Sequence, residues 1–200
     1  MSKDDSVGAP TLLTGYAPAT TVDDATYQEL ADFASRWRED RGPSNPELGT
    51  AATIVINHEA RLLDDRRYRD WLDRFTSDGV YWVPLEPESD PRKRISLMLD
   101  DRRRLEDRVA LLETGWAHSQ LPESRTCRQV TNVEAWSGDG DDVLVRCSVV
   151  TWEYRKNGVT SFAGRNDYVL AALGESWRIR RKIVYLVNSA GDVPRFSFIL

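Results

Sequence analysis

The sequence predicts a cone-shaped α+β roll, in which N-terminal helices pack on a long, curved antiparallel sheet. Three observations support this class. The first part of the chain has the apolar period of helices, residues 125–187 alternate over long runs, and the Asp78-Gly79 turn joins a helix to an aromatic strand. With 40% hydrophobic residues, the 200-residue chain suffices for one sizeable core. We expect an N-terminal arm with a short helix, residues 1–50, and a single domain, residues 51–200.

The N-terminal arm begins with residues 1–22, which are rich in Ala, Thr, Gly, Pro and Asp and have no periodicity. This composition is typical of a flexible or partner-bound segment. Asp23 or Asp24 is expected to cap a helix that ends near Arg38, and residues 41–46 then interrupt the helical pattern. The apolar stripe of this helix comprises Tyr27, Leu30, Ala34 and Trp37.

A second helix is predicted to have Thr50 or Thr53 as its cap and to carry His58 and Glu59. Its apolar stripe continues through Ala60, Leu62, Leu63, Arg67, Trp71 and Leu72. Its outward side is predicted to carry Asp64, Asp65, Arg66 and Arg69. After the Asp-Gly turn, the run from Val80 to Val83 predicts a strand that Pro84 stops.

The sheet is predicted to follow, with turns at residues 137–141, at Asn157-Gly158 and at residues 174–176. In the last strand, one face is expected to carry Trp177, Ile179, Ile183 and Tyr185, and the other Arg178, Arg180 and Lys182. The strand before Asn157 changes its apolar face near residue 150, which predicts a bulge or a strong coil in a long curved strand. The residues concerned are Val143, Val145, Cys147 and Val149 on one face, and Trp152 and Tyr154 on the other. Gly164 is a candidate for a second bend.

Composition excludes several classes of function. The net charge of −5 argues against a nucleic-acid surface, which needs a basic excess. No apolar run reaches about eighteen residues, so no membrane span is predicted. The N-terminus has no uninterrupted apolar stretch after a basic start, so we expect no secretory signal and a cytoplasmic protein. Cys127 and Cys147 lie in predicted strands, and we expect buried thiols rather than a disulfide.

An ordered set of short motifs runs from about residue 55 to residue 200. The first comprises Glu59-Ala60, Leu62-Leu63-Asp64, Tyr68, Trp71-Leu72, Asp78, Tyr81 and Pro84. The next comprise Asp100-Asp101, Leu105, Arg108-Val109, Glu123 to Thr126, Val130 and Asn132-Val133. The last comprise Phe162, Gly164-Arg165, Tyr168, Leu170, Trp177 to Ile179, Arg181 and Phe196 to Leu200. In this order they resemble the small (β) subunit of aromatic-ring-hydroxylating dioxygenases. Cys127, where arginine is more usual, and the long N-terminal segment depart from the family pattern.

The resemblance implies the cone fold shared with nuclear transport factor two and ketosteroid isomerase. It also implies a dioxygenase that adds both atoms of O₂ to an aromatic ring in aromatic-compound catabolism, in which this chain is a non-catalytic, structural subunit. The Rieske [2Fe-2S] cluster and the mononuclear Fe(II) are expected in a large α subunit. Three α and three β subunits would assemble, with β–β contacts forming a trimer. Electrons would come from NADH or NADPH through a reductase and often a ferredoxin.

The metal-ligand inventory of this chain agrees with that expectation. A Rieske cluster needs two cysteines and two histidines in close spacings, and neither Cys127 nor Cys147 is followed by a histidine. A mononuclear iron needs two histidines and a carboxylate. His58 and His118 exhaust the supply, one on a predicted helix and the other in a distant loop. We therefore expect no metal, cofactor or catalytic residue in this chain.

The alternative is a stand-alone pocket enzyme of the same cone fold, such as an isomerase, dehydratase or cyclase, with an Asp or His as acid or base. Its candidate residues are His58, Asp64, Asp78, Tyr81 and Asp100. Each has a structural explanation as well, because Asp64 lies on a polar helix face, Asp78 belongs to a turn, and Asp100 with Asp101 caps a helix.

Contacts with other subunits are expected mainly from aromatic, arginine and C-terminal residues. The candidates are Trp82, Arg125, Trp152, Arg165, Arg181, Phe196, Phe198 and Leu200. For two basic runs, residues 178–182 and 102–104, we expect one of two roles. They form solvated faces of the chain, or they bind an acidic patch on a partner. The apolar tail 196–200 is expected to be buried in its own sheet or in a neighbouring subunit.

Overall fold

The computed structural model describes residues 22–36, 38–113, 123–156, 158–174, 176–189, 191 and 198–200. Within these ranges there are four helices: α1 (Asp24–Ser35), α2 (Pro46–Asp64), α3 (Tyr68–Leu72) and α4 (Arg102–Glu113). The same ranges contain six strands: β1 (Phe75–Pro84), β2 (Ser96–Asp101), β3 (Arg125–Ser137), β4 (Val143–Arg155), β5 (Gly158–Leu173) and β6 (Ser176–Leu186). None of the helices in this part of the chain is long and apolar enough to cross a membrane.

The six strands form one sheet in the order β2-β1-β6-β5-β4-β3. Neighbouring strands are antiparallel except β1 and β6, which run parallel. The predicted α+β class is confirmed, and the parallel pair is a correction to the purely antiparallel sheet that was expected. The parallel pair forms because β1, which precedes the β3–β6 meander in the chain, lies between β2 and the last strand, β6.

The caps of the first two helices show what local sequence determines. Asp23 caps α1 as predicted, since its Oδ1 accepts a hydrogen bond of 2.8 Å from the Thr26 N–H. The helix ends at Ser35, before the expected Arg38. Helix α2 begins earlier than expected, because Asn45 accepts from two main-chain N–H groups and Pro46 occupies the first turn. The prediction of Thr50 or Thr53 as its cap is therefore wrong.

The position of α2 also bears on the predicted division of the chain between residues 50 and 51. That division stays a prediction, and it falls inside α2. The single long helix expected through Trp71 is in fact two helices. Helix α2 ends at Asp64, Arg66 adopts a left-handed conformation with φ of 57°, and α3 starts at Tyr68.

The helices cover the two faces of the sheet unequally. We call the face beneath α2, α3 and α4 the inner face, and the face beneath α1 the outer face. The inner core includes Ile56, Leu63, Trp71, Tyr81, Leu105, Val145, Phe162, Leu170 and Phe198. The outer core includes Leu30, Ala34, Val80, Trp82, Ile183 and Tyr185. The larger core therefore lies between α2 and the sheet.

A register shift in β6 determines which of its side chains point inward. Leu170 pairs with Ile179 and Val169 pairs with Arg181, so Arg180 is an extra residue between them. Consequently Trp177 and Ile179 contact the inner core, whereas Ile183 and Tyr185 belong to the outer core. The predictions that these four residues share a face, and that Lys182 lies with Arg178 and Arg180, are wrong.

Of the two alternatives predicted near residue 150, the bulge is wrong, and strong coiling of the strand stays a prediction. Strand β4 pairs with β5 without a register shift, and residues 149, 151 and 153 all point inward. The apolar pattern changes near residue 150 only because two of these inward residues, Thr151 and Glu153, are polar. The shift lies instead in β3, between Thr131 and Glu134. At Gly164, a Cβ atom would lie 2.5 Å from the Tyr185 carbonyl oxygen, so this position requires glycine for a close approach of β5 and β6.

Candidate functional site

The inner face contains a buried group of hydrogen-bonded polar side chains around Glu59 of α2. Glu59 Oε1 accepts from Trp71 Nε1 at 3.0 Å and from Lys182 Nζ at 2.8 Å. Its Oε2 accepts from the Tyr168 hydroxyl at 2.9 Å. Tyr81 lies beside Lys182, whose Nζ is 5.4 Å from the centre of the Tyr81 ring. We call Glu59, Trp71, Tyr81, Tyr168 and Lys182 the polar centre.

The last residues of the chain close this group. Lys182 Nζ and the Tyr81 hydroxyl both donate to the main-chain oxygen of Leu200, at 2.8 and 3.2 Å. The Arg128 guanidinium donates to the main-chain oxygen of Ile199. The ring of Phe198 packs edge-on against Phe162, with centroids 5.4 Å apart. Residues 198–200 therefore fill the interior, which confirms burial in the chain's own sheet for this part of the tail.

Asp64 binds Arg128, the residue that donates to the main-chain oxygen of Ile199. Its carboxylate accepts hydrogen bonds from the Arg128 guanidinium, from the Arg128 N–H at 2.8 Å and from the Thr126 hydroxyl at 2.9 Å. The Asp64 side chain is 22% exposed and that of Arg128 only 4%. The prediction that Asp64 faces outward on a polar helix side is therefore wrong, and the residue instead joins α2 to β3.

Burial shifts the ionisation of this interior. Desolvation lowers the pKa of Lys182, and the adjacent Glu59 carboxylate opposes that shift. Desolvation raises the pKa of the Tyr81 and Tyr168 hydroxyls, so both remain protonated donors at neutral pH. An acid, a base and two phenols thus stand together, as a proton-transfer enzyme requires.

Among the described residues, little space for a substrate lies beside these groups. The cavity between Glu59, Arg128, Tyr168, Lys182 and Leu200 measures about 10 Å³. Such a volume is about that needed for one water molecule, whereas ligand pockets measure roughly 300–1,000 Å³. The side chains and residues 198–200 occupy the place of a pocket, so this arrangement supports packing rather than turnover.

The acid–base candidates for a pocket enzyme are not brought into one site. His58 lies partly exposed on α2, and its pKa is lowered by desolvation and by the charge of Arg74. Asp78 is exposed beside Arg181. Asp100 pairs with Arg108 at 2.7 Å, whereas Asp101 caps α4 by accepting from the Arg104 N–H. His118 lies outside the described residues.

The donor set does not fit an iron centre. Among the residues with described positions, no group of three or more His, Cys, Asp or Glu side chains is placed to hold a metal ion. Cys147 is buried, which raises the pKa of its thiol to about 12, whereas Cys127 is exposed, contrary to prediction. Cys127 pairs with Trp152, five positions from Cys147 along β4, so the two thiols lie about 17 Å apart along the sheet. The two thiols therefore cannot be ligands of the same iron–sulfur cluster.

The predicted interface residues separate into two groups. Trp82, Arg181, Phe198 and Leu200 are buried within the chain, and their role in contacts between subunits stays a prediction. Trp82 donates to Ser96 Oγ at 2.8 Å and Arg181 binds Glu29 of α1 at 2.7 Å. Arg125 and Trp152 are exposed, Arg165 is partly exposed, and their role in contacts stays a prediction. Phe196 lies outside the described residues.

The two basic runs largely bind acceptors within the chain. Arg178 donates to the Asp73 carbonyl, Arg180 pairs with Asp142, and Lys182 pairs with Glu59. In the other run, Arg102 donates to the carbonyls of Leu72 and Phe75 at 2.8 and 3.1 Å. These groups therefore connect elements of the fold. Neither of the two expectations for the basic runs, a solvated face or a surface for an acidic partner, describes these contacts.

The residues that sequence reasoning missed carried weak signals. Glu59 stands between Ile56 and Leu63 on the apolar stripe of α2, where a carboxylate needs a buried partner. Lys182 directly precedes the apolar run 183–186. A further missed group is Asp167, which lies on the outer face and is buried. Its carboxylate contacts Arg146 at 3.0 Å, Arg165 at 3.6 Å and Arg41 at 3.8 Å.

Comparison with known proteins assigns this chain to a family. Residues 58–191 match the family model of the ring hydroxylating beta subunit. The chain is 35% identical over 136 residues to the β subunit of benzoate 1,2-dioxygenase from Acinetobacter baylyi, covering 65% of this chain and 80% of that one. It also resembles the crystal structure of the benzoate 1,2-dioxygenase β subunit from Burkholderia mallei, with a TM-score of 0.60, 30% identity and coverage of 90% and 99%.

A solved naphthalene 1,2-dioxygenase contains a chain with the same fold, at a TM-score of 0.69 and 20% identity, covering 90% of this chain and 95% of that one. The cone fold expected from the sequence is thereby confirmed. Because the family model covers about two thirds of the chain and the benzoate dioxygenase relative exceeds 30% identity, this chain belongs to the small (β) subunit family of the ring-hydroxylating dioxygenases.

Proposed function

We propose that this chain is the non-catalytic, structural small subunit of a dioxygenase that adds both atoms of O₂ to the ring of an aromatic carboxylate. The filled interior supports the non-catalytic part, because Glu59 and Lys182 bind each other and Lys182 also binds the main-chain oxygen of Leu200. The substrate class rests on relatives that are named for benzoate, 2-halobenzoate, toluate and anthranilate. The subunit would serve the catabolism of such compounds.

The large subunit is the partner that this role requires, since relatives are named as the small subunit or small oxygenase component. We place the Rieske [2Fe-2S] cluster and the mononuclear Fe(II) in that subunit, because the Cys and His residues described in this chain do not fit either group. Three large and three small subunits would form the complex. NADH or NADPH would supply electrons through a reductase, with or without a ferredoxin, which suits a cytoplasmic location.

Co-expression with a benzoate-type large subunit tests this proposal. We expect a mixed complex by light scattering, iron only in preparations that contain the large chain, and benzoate-dependent O₂ uptake once a reductase and NADH are added. The variant Lys182→Met should reduce the yield of complex. Turnover per iron should remain unchanged in the complex that still forms.

The matched control is Ile54→Ser, an exposed change on α2 that should alter neither quantity. A stable preparation of this chain that ignores every such large subunit would contradict the role. So would a loss of turnover per iron in Lys182→Met, because the polar centre would then take part in the reaction.

A further inference from the structure

Two buried polar atoms on the inner face have no hydrogen-bond partner within the part of the chain that the structure describes. One is Oδ1 of Asn166 in β5, and the other is Nε of Arg128 in β3. Asn166 is 3% exposed and the Arg128 side chain 4%, so bulk solvent reaches neither atom. Buried polar atoms in native proteins nearly always have a partner, and each exception therefore calls for an explanation.

The orientation of the Asn166 side chain is determined by Tyr168. Asn166 Nδ2 lies 3.2 Å from the Tyr168 hydroxyl, and that hydroxyl donates to Glu59 Oε2 at 2.9 Å. Because a phenol has only one proton to donate, the hydroxyl can only accept from Asn166. Reversing the amide would place its oxygen against a hydroxyl oxygen that has no further proton to give. The atom left over is therefore the amide oxygen, an acceptor.

The Arg128 guanidinium already donates through its other two nitrogens. Nη1 donates to the Asp64 carboxylate and, at 3.0 Å, to the Thr126 hydroxyl. Nη2 donates to the main-chain oxygen of Ile199. The Nε–H group is the one left over, and it is a donor. The two buried atoms are therefore complementary, since one accepts a hydrogen bond and the other donates one.

Asn166 and Arg128 line the same small cavity between α2 and the sheet. Its volume is about 10 Å³, which is about the least that a buried water molecule requires. Apolar side chains form much of its wall, namely Ile56, Ala60, Leu63, Val130 and Val149. A buried water needs at least two polar partners, and this cavity offers one acceptor and one donor that nothing else in the described chain uses.

The charges around the cavity indicate a neutral molecule. The two cationic side chains that line it are each paired with a carboxylate, Arg128 with Asp64 and Lys182 with Glu59. An anion would lie against the Asn166 oxygen and the Glu59 carboxylate. A cation would lie against Arg128 and Lys182. A neutral molecule of the size of water, which both donates and accepts, avoids both conflicts.

We propose that this cavity binds a single water molecule, which donates to Asn166 Oδ1 and accepts from the Arg128 Nε–H group. Strands β5 and β3 are not neighbours in the sheet, because β4 lies between them. The water joins them on the inner face, and it connects the polar centre, through Asn166 and Tyr168, to the pair of Arg128 and Asp64. The site belongs to this chain alone, so it does not depend on the proposed function.

Two measurements on the unmodified chain test the site directly. A high-resolution crystal structure should show one water within about 3.2 Å of both Asn166 Oδ1 and Arg128 Nε. In solution, the Arg128 Nε–H proton should show a nuclear Overhauser effect to water, with the sign that a buried, long-lived molecule gives. Density for an ion, density that contacts neither atom, or the lack of any water signal at Arg128 would overturn the proposal.

Enlarging the wall of the cavity distinguishes a bound water from a dry void. Val149→Ile adds a methylene group to that wall, and the control Val145→Ile adds the same group to another inner-core residue of β4, away from the cavity. Val149→Ile should raise the equilibrium constant of unfolding at least about tenfold more than the control, since displacing the water leaves two buried polar atoms without partners. An equal or smaller effect would contradict the proposal, because filling a dry void costs no hydrogen bond. If Val149→Ile does not fold, the measurements on the unmodified chain still decide.

Discussion

The inner and outer faces of the sheet use charged and aromatic residues in different ways. On the inner face, Glu59 and Lys182 are buried against each other, and the tail covers them. On the outer face, Arg41, Arg146 and Arg165 surround the single carboxylate of Asp167, and Trp152 and Tyr154 are exposed. Around Glu59 and Lys182 the described interior is filled by the chain's own side chains, and the cavity beside them measures about 10 Å³. The surface is then where such a domain can interact with other molecules.

The sharpest contrast between the faces is in their thiols. Cys147 is buried, with a pKa raised to about 12, and Cys127 is exposed. Because the thiolate is the reacting species, Cys127 should be modified by a disulfide reagent at least about a thousandfold faster than Cys147 in the native chain at pH 8. Mass spectrometry of partly labelled protein measures the ratio. Equal rates would mean that the inner face opens readily and that the two faces do not differ in this way.

The buried ion pair predicts the largest loss of stability on the inner face. Lys182→Met leaves the Glu59 carboxylate buried without its cationic partner and removes a donor to Leu200. The free energy of unfolding should fall by about 3–5 kcal/mol in urea titrations. Adding Glu59→Gln to the variant should recover part of this loss, since no uncompensated charge remains. A loss below about 1 kcal/mol, comparable to a change at an exposed residue, would remove the distinction between the faces.

Asp64 should have a smaller effect because its side chain is partly open to solvent. Asp64→Ala removes the acceptor for Thr126 and for two groups of Arg128, and leaves that guanidinium buried. We expect a loss of about 2 kcal/mol in the free energy of unfolding. Asp64→Asn, which keeps an acceptor without the charge, should lose less. If the two variants are equally unstable, the charge on Asp64 contributes nothing to holding β3 against α2.

The smallest effect is expected from His58, at the edge of the inner face. Its pKa is lowered, so in the folded chain it stays neutral at pH values where the unfolded chain already binds a proton. Stability should therefore decline slightly as the pH falls through about 6.5. His58→Gln should remove this component when the two proteins are unfolded in urea from pH 7.5 to 5.5. An identical pH dependence in both proteins would show that His58 is as hydrated as in the unfolded chain.

Local sequence signals predicted much of this molecule. The Asp23 cap, the turn at residues 137–141 and the alternation of the later strands were each legible from neighbouring residues. The ordered motifs from Glu59 onward predicted the family. The predictions that were wrong concern residues whose hydrogen-bonding or pairing partners are distant in the chain. Asp64 looks like a solvent-facing residue until Arg128, 64 positions away, is brought beside it.

Lys182 shows the same limit more clearly. Its inward direction depends on the extra residue at Arg180, and that bulge is defined by pairing with β5 rather than by anything local in β6. The alternation rule therefore assigned the wrong face to every residue after it. Proposed contacts between subunits are a further step away, because they depend on surfaces of chains other than this one.

The closure of the interior by the tail has a consequence for protein synthesis. Tyr81 and Leu200 are 119 positions apart, and residues 198–200 leave the ribosome after all six strands described above. Until they arrive, Lys182, Tyr81 and Arg128 lack the acceptors that the main chain of residues 199 and 200 supplies. Residues 198–200 thus complete the core of a domain whose first strands were made much earlier, and contacts of such long range form slowly.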